Sequence, residues 1–434
     1  MQQPRRYRLD AAAAEPRTES RLTILSRMPI RTPYYGWVLV RALGITEIIS
    51  WGVLYYAFGV FLTPMEADLG WSRGAITGAF SLALVLSGVA AIPVGRWLDR
   101  HGARVLMTAG SCVATLLVLA WASSVTLSEF YLVWAAIGLV MATLLYEPAF
   151  AVVTVWFERK RAKALTAVTL IAGFSSTVFL PFAAWLLQVQ GWRGALVSLA
   201  VILAVGTIPV HALLLRRRPE DLGLHPDGAR DVRVGTEPPR REDVPVRTAL
   251  RDPAFRWLVL GFCLSTGVAF GVHVHLVPIL LDRGYDPMVA ATLAGLVGAM
   301  QVFGRLLMAP LTTRIPLRSI TAGVLAILPL AIVVLILVPG TIGVIAFVAL
   351  FGAAKRCLTL VRPAFVADLY GRTHYASIAG VLAFAVNLAQ AAAPVGAGAA
   401  YDLFGGYLPI LWFSVAVSAL GSLSLLSLSW IGSK

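Results

Sequence analysis

Apolar residues in this chain come in long unbroken stretches, not in the short alternation of a half-buried strand. The stretches fall at 36–64, 74–98, 104–124, 129–155, 164–188 and 193–215, and resume at 255–281, 287–312, 317–338, 341–367, 375–400 and 406–430. Each is about 20 residues or more, enough to cross a ~30 Å hydrocarbon core as a helix. Open strands leave backbone groups unsatisfied in lipid, and barrel strands run only about ten residues and alternate in polarity. The pattern predicts an all-α membrane protein of twelve transmembrane helices, spans 1 to 12.

The polar stretches divide the chain. Residues 1–33 are polar and rich in arginine, and read as a cytoplasmic tail, with no short apolar core and cleavage site of a signal peptide. Residues 216–253, RRRPEDLGLHPDGARDVRVGTEPPRREDVPVRTALRDP, are dominated by Pro, Gly and charge and read as a cytoplasmic linker. It separates a six-helix bundle at 34–215 from a second at 254–434.

The two parts share features at an offset near 214. Pro148-Ala149-Phe150 recurs as Pro363-Ala364-Phe365, and Pro64 as Pro278. Pro181 matches Pro394, Leu69-Gly70-Trp71 matches Arg283-Gly284-Tyr285, and Gly191-Trp192 matches Gly406-Tyr407. Several matches at nearly one offset indicate a parallel duplication, making the fold two pseudo-symmetric bundles.

Charge fixes the expected orientation. With the N-terminus in the cytoplasm, the cytoplasmic segments hold 28 Lys and Arg, whereas the outer loops hold three: Arg73, Arg193 and Arg283. Both termini are therefore expected inside, in the inner membrane. The same asymmetry accounts for the net charge of +14 without a nucleic-acid partner. Composition agrees: 58% of residues are hydrophobic and 13% charged, against about 25% charged in soluble domains. Cys112, Cys263 and Cys357 sit singly in apolar runs and read as packing residues, with no metal-ligand spacing.

Between spans 2 and 3 lies GRWLDRHGAR at 95–104. It resembles the major facilitator signature G-x-x-x-D-R-x-G-R-[KR], and the resemblance covers residues 34–430. It implies a cytoplasmic charge lock of Asp99, Arg100 and Arg104. The second-half counterpart, GRLLMAPLTTR from 304, keeps the Gly and Arg but has Met308 in place of the acid. Within that superfamily the chain looks like bacterial relatives of the monocarboxylate and oxalate/formate transporters. YYGWVLV at 34–40, RRRPEDLGLHPDG at 216–228 and Gln301-x-x-x-Arg305 carry this likeness. Arg305 matches the monocarboxylate carriers. Gln301 stands where they have Asp, and the Lys of their first helix falls near Tyr56. The Lys of the oxalate carriers on helix 11 has no counterpart, and Asn387 and Gln390 are the polar residues there.

Ionisable groups in a bilayer interior are costly and mark function by default. Here they are Glu47 (span 1), Glu147 (span 4), His273 and His275 (span 7), Arg305 (span 8), and Lys355, Arg356 and Arg362 (span 10). Spans 3, 6, 9 and 12 show none in their interiors. The resemblance implies that spans 1, 4, 7 and 10 line a central cavity. Glu47 lies about 15 Å deep. It is a candidate proton carrier, as is Glu147, or else the structural partner of Lys355 or Arg356. Arg305 offers a planar fork for a substrate carboxylate, or clamps span 8. Glu147 and Arg362 precede the repeated Pro-Ala-Phe and form a candidate cytoplasmic gate, unless Arg362 reaches lipid headgroups. His273 and His275 point about 200° apart, so one faces the cavity opposite Tyr55 or Tyr56, with His275 preferred, and a metal pair is not expected.

The chain contains no G-x-x-x-x-G-K-[ST], H-E-x-x-H or G-x-S-x-G. No enzyme and no cofactor are expected. The reading is a secondary transporter of small organic anions, monocarboxylates in particular, coupled to protons and functional as a monomer in the lipid bilayer. Its substrate contacts would be Arg305, Tyr56, His275, Asn387, Gln301, Lys355 and Arg356. The alternative is proton-driven efflux of hydrophobic drugs or metabolites, weakened by a span 5 that lacks the Gly-Pro-Gly-Gly of drug antiporters.

Overall fold

The structure is a computed structural model and describes residues 34–228, 246–314, 317–370 and 375–431. Within that range it leaves undescribed the side chains at 99, 162, 246, 305–325, 356–357, 359–361, 363–364, 367–368, 375–377, 379–380 and 427–431. Every long element is a helix. Nine stretches among the described residues are long and apolar enough to cross a membrane, and Ala326–Leu337 and Gly340–Lys355 are shorter apolar helices.

The first expected span is α1 (Tyr35–Trp51) and α2 (Ala57–Leu69), joined by a π-helical turn at Gly52–Tyr56. A π turn inserts a residue into the helical ladder and is common at functional sites. The Phe179 ring packs on Gly52 at its start, where any Cβ would overlap the ring. Next come α3 (Arg73–His101), α4 (Ala103–Ser123), α5 (Leu127–Leu144), α6 (Tyr146–Trp156), α7 (Arg161–Ala172) and α8 (Ser175–Leu214). At 40 residues α8 is twice the length of one crossing, and Gly191, at φ 68°, breaks it in two.

The remaining helices are α9 (Val246–Arg251), α10 (Pro253–Val274), α11 (Leu276–Asp282), α12 (Pro287–Arg314), α13 (Leu317–Leu337), α14 (Gly340–Tyr370), α15 (Tyr375–Phe404) and α16 (Leu408–Ile431). The repeat is visible in the backbone. Gly70 and Gly284, at φ 66° and 80°, end α2 and α11, and Gly191 and Gly405 both stand at φ 68°. The counterpart of Gly191 is thus Gly405, one residue earlier than the sequence match placed it.

Helices α1 to α8 pack mainly on one another, through α3–α5, α4–α8 and α1–α7; α10 to α16 do likewise, through α10–α16, α12–α14 and α13–α14. Stacked and edge-on rings fill the first set: Phe58 on Phe80 at 4.5 Å, and Trp121 against Trp134 at 4.7 Å. Three seams join the sets: α3 on α15, α8 on α12 and α2 on α11.

The expected linker is folded in its first part. Its Asp227 carboxylate accepts from the backbone N–H groups of Glu158, Arg159 and Lys160 at 3.1, 2.6 and 3.1 Å, ahead of α7. Arg217 donates to the Arg100 carbonyl. Tyr34 donates to the Trp156 carbonyl at 2.9 Å; burial, then the charges of Asp227 and Glu220, push its phenol up to about 12, so it keeps its proton near neutrality. Residues 229–245 lie outside the described residues, and α9 leads to Asp252, which caps α10.

Candidate functional site

A cavity of about 210 Å³ lies between the two helix sets. Its first wall is aromatic. The π turn presents Tyr55 and Tyr56 one turn after Trp51, and Tyr146 comes from the start of α6. Trp51 packs edge-on to Tyr55 at 5.2 Å and against Tyr146 at 5.1 Å; Tyr55 and Tyr56 meet at 5.0 Å.

The facing wall carries Phe262 and Phe270 of α10, Gln301 of α12, Lys355 and Arg362 of α14, and Asn387 and Gln390 of α15. The Lys355 ammonium stands 5.0 Å from the Phe270 ring centroid, within cation–π range. No Asp or Glu lines the cavity among the described residues. One wall is therefore aromatic, and the other sets basic and amide groups beside two further rings.

Glu47 lies one helical turn before Trp51 and is fully buried, with the Trp51 indole as its polar neighbour and no close hydrogen bond to either carboxylate oxygen. Trp51 in turn touches Tyr146, the neighbour of Glu147. Glu147 itself is exposed and borders a separate cavity of about 470 Å³ together with Arg217 and Arg218. Arg362 lines the central cavity, so the two proposed gate residues border different spaces.

At the end of the bundle that carries Arg73, a polar cluster closes the α3–α15 seam. The Arg73 guanidinium bonds Glu66 at 2.6 Å, approaches Asp282 at 3.9 Å and donates to the Tyr407 hydroxyl at 3.2 Å. It also lies 3.7 Å from the Tyr401 ring centroid. Asp402, at the end of α15, accepts from the N–H groups of Arg73 and Gly74 at 3.1 and 2.9 Å, capping α3 from the other helix set. His275 completes the cluster, bonded to the Tyr407 hydroxyl at 2.6 Å and the Pro394 carbonyl at 2.9 Å.

Of the expected substrate contacts, the structure brings together Tyr56, Gln301, Lys355 and Asn387. It places His275 in the Arg73 cluster, because both ring nitrogens find partners there. His273 instead packs edge-on to Tyr56 at 5.5 Å, both its nitrogens without partners. The side chains of Arg305, Arg356 and Asp99 lie outside the described residues. The alternative pairing of Glu47 with Lys355 does not form, since Lys355 faces Phe270, and the Arg356 side chain lies outside the described residues. Arg104 donates to the Ala212 carbonyl at 2.7 Å, and Arg100 is exposed. Span 6 does carry a buried ionisable group, His211, bonded to Ser111 at 2.9 Å across the α4–α8 contact.

Sequence reasoning missed the aromatic wall and the Arg73 cluster. A run of Trp51, Tyr55 and Tyr56 inside an aliphatic span was the available signal for the wall. The cluster had none, since Asp402 is more than 300 residues from Arg73.

Residues 44–351 match the family model described as Major Facilitator Superfamily. Bovine monocarboxylate transporter 13 is 27% identical over 351 residues, 78% of this chain and 76% of that one. Human monocarboxylate transporter 11 is 31% identical over 280 residues, covering 62% of this chain and 56% of that protein. An uncharacterised MFS-type transporter of Bacillus subtilis, YcxA, is 24% identical over 82% of this chain and 86% of its own. Among solved structures, the nucleoside transporter NupG superposes with a TM-score of 0.67 at 12% identity, covering 90% of this chain and 99% of that one. A bacterial homologue of the human lysosomal transporter Spinster gives 0.66 at 16% identity, covering 92% and 93%.

Proposed function

The chain belongs to the Major Facilitator Superfamily, related to its monocarboxylate transporter group and a transporter rather than an enzyme, and from that premise we propose that it carries small organic anions, monocarboxylates first, coupled to protons. The observation that carries this is the central cavity: Lys355 and Arg362 line it and no described acid does. Basic side chains in a low-dielectric space favour an anion and disfavour a cation.

The reading takes the twelve spans as two six-helix bundles, 34–215 and 254–434, rocking about the cavity. The Lys and Arg asymmetry puts both termini in the cytoplasm and the Arg73 cluster outside. On that assignment the carrier stands closed outside, sealed by the α3–α15 seam. Glu147 and Arg362, facing different cavities, would approach when the cytoplasmic side shuts. Arg305 would add its fork to the anion site, and Asp99 with Arg100 and Arg104 would hold the cytoplasmic loops.

Glu47 is the proton carrier in this reading. It is enclosed with no ion-pair partner, and its polar neighbour is the Trp51 indole, one turn on at the cavity wall. A carboxyl so placed is costly to keep ionised, and water admitted by rocking changes that balance.

Uptake into proteoliposomes of labelled lactate, pyruvate, benzoate and a neutral amphiphile, with and without an imposed proton gradient, tests the proposal. Acids should accumulate when the side facing them is acidic, and Lys355→Met should abolish this. Gradient-driven movement of the neutral amphiphile alone would favour efflux of hydrophobic compounds instead.

A further inference from the structure

We propose, resting on the organic-anion reading above, that the preferred substrate is an aryl monocarboxylate, a six-membered π ring carrying one carboxylate. The wall opposite the cations is a continuous aromatic surface. It runs from Tyr146 through Trp51, 5.1 Å away, to Tyr55 at 5.2 Å and on to Tyr56 at 5.0 Å. A short aliphatic acid such as lactate has no use for it, since Leu or Val would bury a methyl group equally well. A ring gains offset or edge-to-face contact there beyond what its buried area gives.

Aromatic walls also bind organic cations, through the negative faces of their rings. That occupant is disfavoured here by charge. Lys355 already places its ammonium over Phe270, and Arg362 lines the same cavity. The two halves of the ligand follow from the two walls. The ring lies against Trp51, Tyr56 and Tyr146, and the carboxylate points across to Lys355. The cavity, about 210 Å³, is smaller than the roughly 300–1,000 Å³ of drug-sized sites, so one ring and one short acidic group suit it better than a fused polycycle.

The test compares benzoate with cyclohexanecarboxylate, which keeps the charge and ring size and removes the π system. Binding of labelled benzoate, and in parallel labelled lactate, is measured on the full-length protein in nanodiscs, with cyclohexanecarboxylate and benzamide as competitors. Benzoate should bind about 2- to 13-fold more tightly than cyclohexanecarboxylate, the equivalent of the aromatic increment, and more tightly than lactate. Trp51→Leu and Tyr146→Leu should each narrow that ratio toward one while still binding cyclohexanecarboxylate, which shows that the variant is folded.

Equal or tighter binding of cyclohexanecarboxylate would overturn the inference, as would a ratio unchanged in both variants. Binding of lactate but not benzoate would overturn it and leave the organic-anion reading standing. Benzamide binding as tightly as benzoate, or no binding of any acid, would overturn both.

Discussion

Glu47 and Lys355 are both deep in apolar spans, and both were legible in the sequence because a charge there violates the composition around it. Their surroundings were not legible. Lys355 finds a ring rather than a carboxylate, and Glu47 finds the Trp51 indole rather than a cation. The aromatic wall was hidden for a different reason: Trp51 and Tyr146 look like packing residues in any apolar run, and only their meeting across α1 and α6 makes a surface. His275 was read as a cavity residue because a two-residue spacing fixes only that His273 and His275 diverge. Which of them turned inward depended on Tyr407 and the Pro394 carbonyl, over 100 residues away. If Glu47 carries the proton, Glu47→Gln should lose uptake driven by a proton gradient but keep exchange of labelled for unlabelled acid, since exchange moves no net proton. Loss of both activities would make Glu47 structural, and loss of neither would remove it from the mechanism.

The helices themselves were largely readable, because an apolar run of bilayer length leaves the backbone few alternatives. Their interruptions were not. The π turn at Gly52–Tyr56 coincides with the Phe179 ring arriving from α8, and the break between α10 and α11 at His275 with a bond to α15. The folded start of the linker was equally hidden, since Pro, Gly and charge describe an exposed segment as well as a docked one. The cap of α3 is the element-scale feature with the clearest consequence. Asp402 reaches it from α15 across the α3–α15 seam, so the cap should be lost if rocking parts that seam. A lost cap costs about 0.5–2 kcal/mol, so Asp402→Ala should shift the balance between closed and open forms about 2- to 30-fold toward opening. A cysteine at Val277, which borders the small cavity beside His273, reports that opening. In a background without native cysteines, it should react faster with an impermeant maleimide added outside. An unchanged rate would mean that the cap does not hold the seam.

For the whole molecule, hydropathy, the repeat and the motif at 95–104 pointed to the right family, and the positive-φ glycines at 70, 284, 191 and 405 carry the repeat into the backbone. The seams between the helix sets were beyond sequence, because they are made of small residues brought together from far apart. Gly295 and Gly298 of α12 lie on Ser176 and Thr177 of α8, and Gly398 of α15 on Thr77 of α3. The account holds that the α3–α15 seam must part for an anion to reach the cavity from outside. A Cβ built on Gly398 would overlap the Thr77 hydroxyl, so Thr77→Cys with Gly398→Cys brings two thiols within bonding reach across the seam. Uptake of labelled acid by this pair, with Cys112, Cys263 and Cys357 replaced by Ser, should stop when the disulfide forms and return when it is reduced. Undiminished uptake with the disulfide fully formed would contradict the account.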